Sequence, residues 1–476
     1  MTNKAIIKKL KEKGISFEII ENPPIKTVED GVKFLRIEAG DIVPTLILKA
    51  DGKLLAVLKR GDQSLDLEII KRYLKVKNLT MADEKEIFEK LGAVKGVIPM
   101  VTELPTLMDE TILEREYIYG GIGDLNQTLK IRPLDLKNIT KAEVINITKK
   151  HRVFSGLRPT NIVTLGNYLG AIKGQIELQE KKDYDCIYSV VDLHGITTPF
   201  DPKTLQKQIR NLVLDLLGAG LDPKKCHLMI QSQVPEHVGL AYLLGTIYPV
   251  SRLEDLPTYK DKKKENPDNI NMGLLYYPVL MAADILVYKA DTVPVGKDQL
   301  PHIEVAREMA RIFNRMYSKT FPEPKAHLTP GAVVPSLKGE GKMSKSIEGS
   351  YILLTDDLQT IRKRLAGAPT DTGKGSVVPK EGGVANLLTL VELFEGKEVR
   401  KEYERQYLND EGIRYDRLKD NLAVAIYKEL QPIQERRKYY EDNPELVDAI
   451  LEEGREYCSQ IAQETLSEVK KEMGLV

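Results

Sequence analysis

The chain has no tryptophan, three cysteines and six histidines among 476 residues. Cys186, Cys226 and Cys458 are widely separated and form no CxxC pair, which excludes a zinc ribbon and a thioredoxin-like motif. They read as buried thiols of a reducing compartment, so a cytoplasmic protein is expected. The histidines are equally scattered, and neither a metal centre, a bound zinc nor a prosthetic group is expected. Long hydrophobic runs are also missing. The longest candidate, "YYPVLMAADILVY", falls short of the ~18 consecutive apolar residues of a membrane span and contains Asp284. The N-terminal "MTNKAIIKKLKEKG" reads as a basic amphipathic helix without an apolar signal core, so no membrane partner is expected. Seventy basic residues balance seventy acidic ones, so any nucleic-acid contact must use local patches rather than the field of the whole molecule.

What is present suffices for several domains, with 42% hydrophobic residues over this length. Residues 1–140 alternate short apolar runs ("TLILKA", "LLAVLK", "GVIPMV"), read as strands, with helical patterns such as "LEIIKRYLK", an α+β signature. Residues 141–150 read as a linker. From 151 the pattern becomes strand–helix alternation. "DCIYSVVDL" and "CHLMIQS" are buried strands, and "PKTLQKQIRNLVLDLLGAGL" is an amphipathic helix between them. Such alternation predicts an α/β, Rossmann-like, doubly wound parallel sheet over 151–355. Strand signals then vanish, and 356–476 read as a helical domain. Leu418, Leu422, Ile426, Leu430 and Ile433 fall at helical intervals there.

Four stretches of the 151–355 segment carry chemistry. In "FSGLRPTNIVTLGNYLG" a strand runs through glycine and proline into the start of a helix, where free backbone N–H groups favour an anion. Thr164 and Asn167 equally suit an ordinary helix cap. In "YYPVLMAADIL", Tyr277, Met281 and Asp284 share a helix face that is otherwise apolar. A carboxylate there must be paired or hydrogen-bonded, either to a neighbouring helix or to a ligand N–H or O–H. "VPVGKDQLPH" ends a strand at Gly296 and places Asp298 and Gln299 before a helix, where α/β sheets bind ligands; Asp298 as an N-cap is the plainer alternative. "GEGKMSKS" interleaves Lys342 and Lys345 with Ser344 and Ser346. It is either a solvated loop or a cationic clamp for a departing pyrophosphate.

"KMSKS" at 342–346 matches the second signature of class I aminoacyl-tRNA synthetases, and "TLGN" at 164–167 resembles the first in its tryptophanyl-tRNA synthetase variant. "NYLGAI", "VVDLHGIT", "QSQVPEH", "YPVLMAADIL" and "VPVGKDQ" are similar to segments of bacterial tryptophanyl-tRNA synthetases in the expected order, so the resemblance spans 151–476. It implies a ligase that joins L-tryptophan to tRNA(Trp) at the cost of ATP, presented with Mg2+ as substrate, through tryptophanyl-adenylate. It also implies a homodimer with tRNA bridging the subunits. By resemblance, Asp284 accepts the indole N–H, and Phe154, Gly156, Tyr277, Met281, Val293 and Val295 line the tryptophan pocket, with Gln299 at the polar end of the amino acid. ATP falls to Arg158, Pro159, Thr160, Gly166, Asn167, Gly296, Lys297, Asp298 and Val334. The loop Lys342, Met343, Ser344, Lys345 and Ser346 completes that set. Lys342, Lys345, Thr164 and Lys260 take the catalytic roles. Arg158 stands where many members have glutamine, Asn161 where glycine is common, and Lys297 where glutamate is common. The absence of tryptophan suits an enzyme whose own synthesis should not stall when tryptophan is short.

The helical 356–476 segment resembles the anticodon-binding region of the family. Its "IQERRKYY" reads either as an RNA contact or as a solvated basic face. "VPTLILKADGKLLAVL", "GAVKGVIPM" and "YGGIGDLNQTLKIRPLDL" resemble aminoacyl-tRNA deacylase domains, including the one inserted in bacterial prolyl-tRNA synthetases. Editing members carry a lysine where Pro44 stands here. Gly96, Pro99 and the glycines of "YGGIG" would shape a pocket, and editing, tRNA binding and a structural remnant remain open for this domain. For the main body the alternatives are a tyrosine-specific synthetase and a non-catalytic paralogue; Met281 beside Asp284 and the retention of both signatures favour the tryptophan ligase.

Overall fold

The computed structural model describes residues 2–94, 96–159, 163–181, 183–265, 267, 270–296, 299–328, 334–343 and 347–476. Contacts divide the chain into two compact units, Met1–Lys150 and His151–Val476.

The first unit carries strands β1 (Phe17–Glu21), β2 (Thr45–Ala50), β3 (Lys53–Leu58), β4 (Leu79–Met81), β5 (Thr106–Asp109), β6 (Ile118–Gly121), β7 (Gln127–Ile131) and β8 (Glu143–Ile145). They form a three-stranded sheet, β1-β7-β6, and a five-stranded sheet, β4-β2-β3-β5-β8. The β2–β3 hairpin closes through Asp51 and Gly52, both at positive φ, the geometry that a two-residue hairpin turn requires. "TLILKA" and "LLAVL" are strands as expected, whereas "GVIPMV" is not. Pro99 offers no N–H there, and the stretch joins its neighbour through Met100 N–H donating to Gly121 C=O at 2.8 Å. Nor is 141–150 a mere linker, since β8 within it pairs in parallel with β5.

The second unit is built on strands β9 (His151–Leu157), β10 (Tyr184–Val190), β11 (Cys226–Ile230), β12 (Thr292–Val295) and β13 (Lys325–Leu328). All are parallel, in the order β11-β10-β9-β12-β13. The chain runs outward from β9 to β11, then crosses back to lay β12 on the other side of β9. That reversal opens a crevice at the carboxyl ends of β9 and β12, where open α/β sheets bind ligands. One face of the sheet is covered by the Glu236–Gly245, Met272–Leu286 and Leu300–Met316 helices, the other by Pro202–Ala219.

The segment after 355 is helical, and the five apolar residues singled out by spacing in Tyr415–Glu441 are all buried. These helices do not build a core of their own: Leu418, Leu422, Ile426 and Leu430 share one cluster with Val153 and Tyr188 of the sheet and Leu212 of the Pro202–Ala219 helix. Arg436 and Arg437 of "IQERRKYY" are spent inside this unit rather than on a basic face. Arg436 donates to Gly218 C=O at 2.8 Å, and Arg437 pairs with buried Asp215 at 2.8 Å. The last helix, Pro444–Glu472, packs over edge strand β11, which hides that edge from other chains. Its Gly454 is forced by contact: a Cβ there would lie 2.0 Å from Leu228 C=O. Gly454→Ala is therefore expected to cost about 1–3 kcal/mol, measured as a lower denaturant midpoint at unchanged slope.

Candidate active site

A cavity of about 490 Å³ fills the crevice at the ends of β9 and β12. Strand β9 contributes Phe154 and Gly156, and Arg158 follows it; β12 contributes Val293 and Val295, with Gly296 just beyond. Tyr277, Met281 and Asp284 reach the cavity from one face of the Met272–Leu286 helix, as their spacing predicts. Asn167 and Gln299 complete the sequence-derived residues that line it. Gly156 has to be glycine, because a Cβ would lie 2.5 Å from Val191 Cγ1.

Asp284 is 1% exposed and lies within three donors. His194 Nε2 is 2.8 Å from Oδ2, while Gln231 Nε2 donates to Oδ1 at 2.7 Å and His237 Nδ1 is 2.6 Å from Oδ1. Burial alone would raise its pKa. The hydrogen bonds from His194 and His237, with their charge interaction, outweigh burial and hold the carboxyl well below its ordinary range. Asp284 is therefore an ionised acceptor at neutral pH, set at the end of a slot walled by Phe154, Met281 and Val293. Across the cavity the Tyr277 hydroxyl donates to Thr258 Oγ1 at 2.8 Å and lies 2.9 Å from His302 Nε2.

The two lysine–serine and threonine–glycine stretches meet. Thr164 bridges to Leu353, and Leu165 N–H donates to Ile352 C=O at 2.8 Å. Met343 is buried, with its N–H donated to Val334 C=O at 2.8 Å, and its Cβ lies 3.4 Å from where a Cβ on Gly166 would be. Lys342 is exposed, its backbone held by a bridge to Pro335. Met343 is thus packed in place while the Lys342 side chain is exposed.

Several expected residues stand elsewhere. Thr164 is buried and caps the helix: it accepts from Asn167 N–H at 3.2 Å and gives its hydroxyl hydrogen to Asn167 Oδ1 at 2.9 Å. Lys260 points away, pairing with Asp255 at 3.1 Å, because two residues along a helix reverses the face; Lys262 lines the cavity in its place. Pro159, Gly166, Val334, Lys342 and Met343 are not among the cavity walls. Thr160, Lys297, Asp298, Ser344, Lys345 and Ser346 lie outside the described residues. Sequence reading missed His194, Gln231, His237, Lys262 and His302. The two histidines around Asp284 stand in "VVDLHGIT" and "QSQVPEH", but elements far apart in the chain bring them together. Among the described residues no group of three or more His, Cys, Asp or Glu side chains is arranged to hold a metal ion.

In the first unit a cavity of about 120 Å³ is lined by Pro44, Thr45, Gly96, Tyr119, Gly120 and Gly121, among others. Gly121 shapes it, since a Cβ would lie 2.7 Å from Ile98 C=O. Pro99 is not part of the wall.

Residues 146–431 match the family of tRNA synthetases class I (W and Y), and residues 22–139 match the aminoacyl-tRNA editing domain. The tryptophan–tRNA ligase of Bacillus subtilis is 41% identical over 333 residues, 68% of this chain and 98% of the relative. That of Clostridium acetobutylicum is 40% identical over 334 residues, 69% of this chain and 98% of the relative. Among solved structures, tryptophanyl-tRNA synthetase from Campylobacter jejuni, complexed with ADP and tryptophan, superposes with a TM-score of 0.61 at 31% identity, covering 68% of this chain and all of that one. The crevice at the strand ends, the buried carboxylate in its apolar slot and the packing of Met343 on Gly166 thus accompany a likeness over nearly the whole length of those relatives, and the chain belongs to the class I tryptophan–tRNA ligases, with an aminoacyl-tRNA editing domain ahead of the ligase body.

Proposed function

We propose that the cavity of the second unit activates L-tryptophan with Mg-ATP and passes it to tRNA(Trp), using the residues placed above. A tryptophan carboxylate oxygen attacks the α-phosphorus of ATP, forming tryptophanyl-adenylate and expelling pyrophosphate. The 2′-hydroxyl of the terminal tRNA ribose then attacks the acyl carbon, and AMP leaves. No side chain becomes covalently attached. Positioning and charge stabilisation supply the acceleration.

Asp284 is the observation that carries this reading. An ionised carboxylate offers about four acceptor directions, and three are taken by His194, Gln231 and His237. The remaining one, on Oδ2, is left for the indole N–H, with Phe154, Met281 and Val293 against the rings. Gln299 and Arg158 take the polar end of the amino acid or the α-phosphate, and Asn167 and Gly296 the nucleotide. Lys342 and Lys345 close over the β- and γ-phosphates, with Lys262 as the third cation. Lys262→Ala is expected to lower kcat for activation at least about tenfold, whereas Lys260→Ala stays within about twofold of the native rate in ATP–pyrophosphate exchange.

The chain acts as a cytoplasmic homodimer in this reading. Tyr242, 70% exposed, and the exposed Val238, Val250 and Met272 stand on the Met272–Leu286 helix and two helices in contact with it, apolar side chains of the kind a subunit contact uses. The first unit binds or edits aminoacyl-tRNA through its glycine-walled cavity, with Pro44 offering no ammonium group. Charging of tRNA(Trp) with labelled tryptophan by the full chain tests the ligase reading. Loss of charged seryl-, alanyl- or prolyl-tRNA above the spontaneous rate tests editing, and its absence leaves tRNA binding or a structural remnant.

A further inference from the structure

Asp284 depends on residues that do not reach the cavity. His237 is fully buried and bridges Asp284 Oδ1 to the Tyr288 hydroxyl, 2.6 Å from its Nδ1 and 2.7 Å from its Nε2. Tyr288 is also fully buried. Its ring stacks on Phe154 at 5.5 Å, and its hydroxyl is in hydrogen-bonding reach of Cys458 on the last helix.

We infer that His237 and Tyr288 are the positioning residues that set how the site recognises the indole N–H, by locking Asp284 as an oriented, acceptor-only carboxylate. The inference rests on the proposed contact between Asp284 and the indole. A carboxylate cannot donate, so the hydrogen of the short contact lies on His237 Nδ1. In the neutral ring Nε2 is then an acceptor, and the Tyr288 hydroxyl fills it. Asp284 at one nitrogen and the hydroxyl at the other thus hold the ring in one tautomer and one orientation. Remove the hydroxyl, and Nε2 is left buried without its partner, so the ring is held at one end only. A ring free to turn no longer fixes the direction of its Nδ1–H bond, and the carboxylate turns with it. A turned carboxylate no longer aims its open Oδ2 direction into the slot. The apolar walls are untouched, because Tyr288→Phe keeps the ring that supports Phe154. The defect is therefore specific to substrates that carry the N–H.

The test measures ATP–pyrophosphate exchange by the full chain with tryptophan and with β-(benzothiophen-3-yl)alanine, in which sulfur replaces the indole N–H. In Tyr288→Phe the KM for tryptophan is expected to rise about tenfold with kcat within about twofold, while the analogue's kcat/KM stays unchanged. The preference for tryptophan thus falls about tenfold. His237→Asn places an amide N–H where Nδ1–H was and should keep most of the preference; His237→Leu should lose it. A preference in Tyr288→Phe as large as the native one, whether both substrates are slowed equally or neither is, overturns the inference. If the native chain itself does not prefer tryptophan to the analogue, the Asp284–indole contact fails instead, and the two failures are told apart.

Discussion

Asp284→Ala is expected to lower kcat/KM for tryptophan about 10⁴-fold in ATP–pyrophosphate exchange, because the site loses the acceptor proposed for the only polar group of the indole. The same change leaves the side chains of His194, Gln231 and His237 aimed at an empty position in a buried region, and is expected to cost roughly 3–5 kcal/mol of stability. Asp284→Asn separates the two effects. It preserves volume but turns one acceptor into a donor, which faces either His194 or the pair Gln231 and His237, so activity falls as far while packing is kept. The pH dependence follows from the direction of the shift. Asp284 is held below the ordinary carboxylate value of 3.8, so its stabilisation is fully present above that value and is lost only as pH falls below it. The stability gap between the native chain and Asp284→Asn, measured by denaturant unfolding, should therefore be constant through neutral pH and narrow only in acid. A gap that closes between pH 8 and 5 would show that another group is being titrated.

Lys342→Ala is expected to slow the exchange reaction about 10²–10³-fold, with the KM for tryptophan within about twofold of native. The reason lies in how the loop is held. Met343 is buried against Gly166 and hydrogen-bonded to Val334, and Pro335 bridges Lys342 through the backbone, so these two residues keep their backbone contacts without the lysine side chain. What is lost is charge stabilisation where the pyrophosphate departs. Equilibrium dialysis with tryptophan alone should give an unchanged Kd. Equal losses in tryptophan affinity and in rate would instead mean that Lys342 supports the ground state.

The sequence and the structure diverge in an instructive way around these two sites. Asp284 was legible because a carboxylate inside the apolar "YPVLMAADIL" demands an explanation on energetic grounds alone. The buried face of Tyr415–Glu441 was legible because helical spacing maps directly onto one side of a cylinder. The histidines that hold Asp284 were not legible, since the count of six scattered histidines says nothing about which of them folding brings to one point. Thr164 and Lys260 stand off the cavity wall for a local reason. A threonine before a helix is drawn into its own cap, and of two lysines two residues apart on a helix only one can face the cavity. Arg436 and Arg437 look like an RNA contact in one dimension, but the close approach of Pro202–Ala219 and Tyr415–Glu441 uses them to satisfy the helix-end carbonyl of Gly218 and the buried Asp215. Pro44 and the glycines of the first unit were visible in the sequence, and the cavity they wall required the fold.

The most direct measurement is amino-acid-dependent ATP–pyrophosphate exchange by the full chain, run with each of the twenty amino acids. An ionised Asp284 closing an apolar slot predicts rapid exchange with tryptophan and, with tyrosine, a kcat/KM lower by about 10³-fold or more. Exchange with tyrosine equal to or above that with tryptophan, or no exchange with any amino acid, would contradict the account.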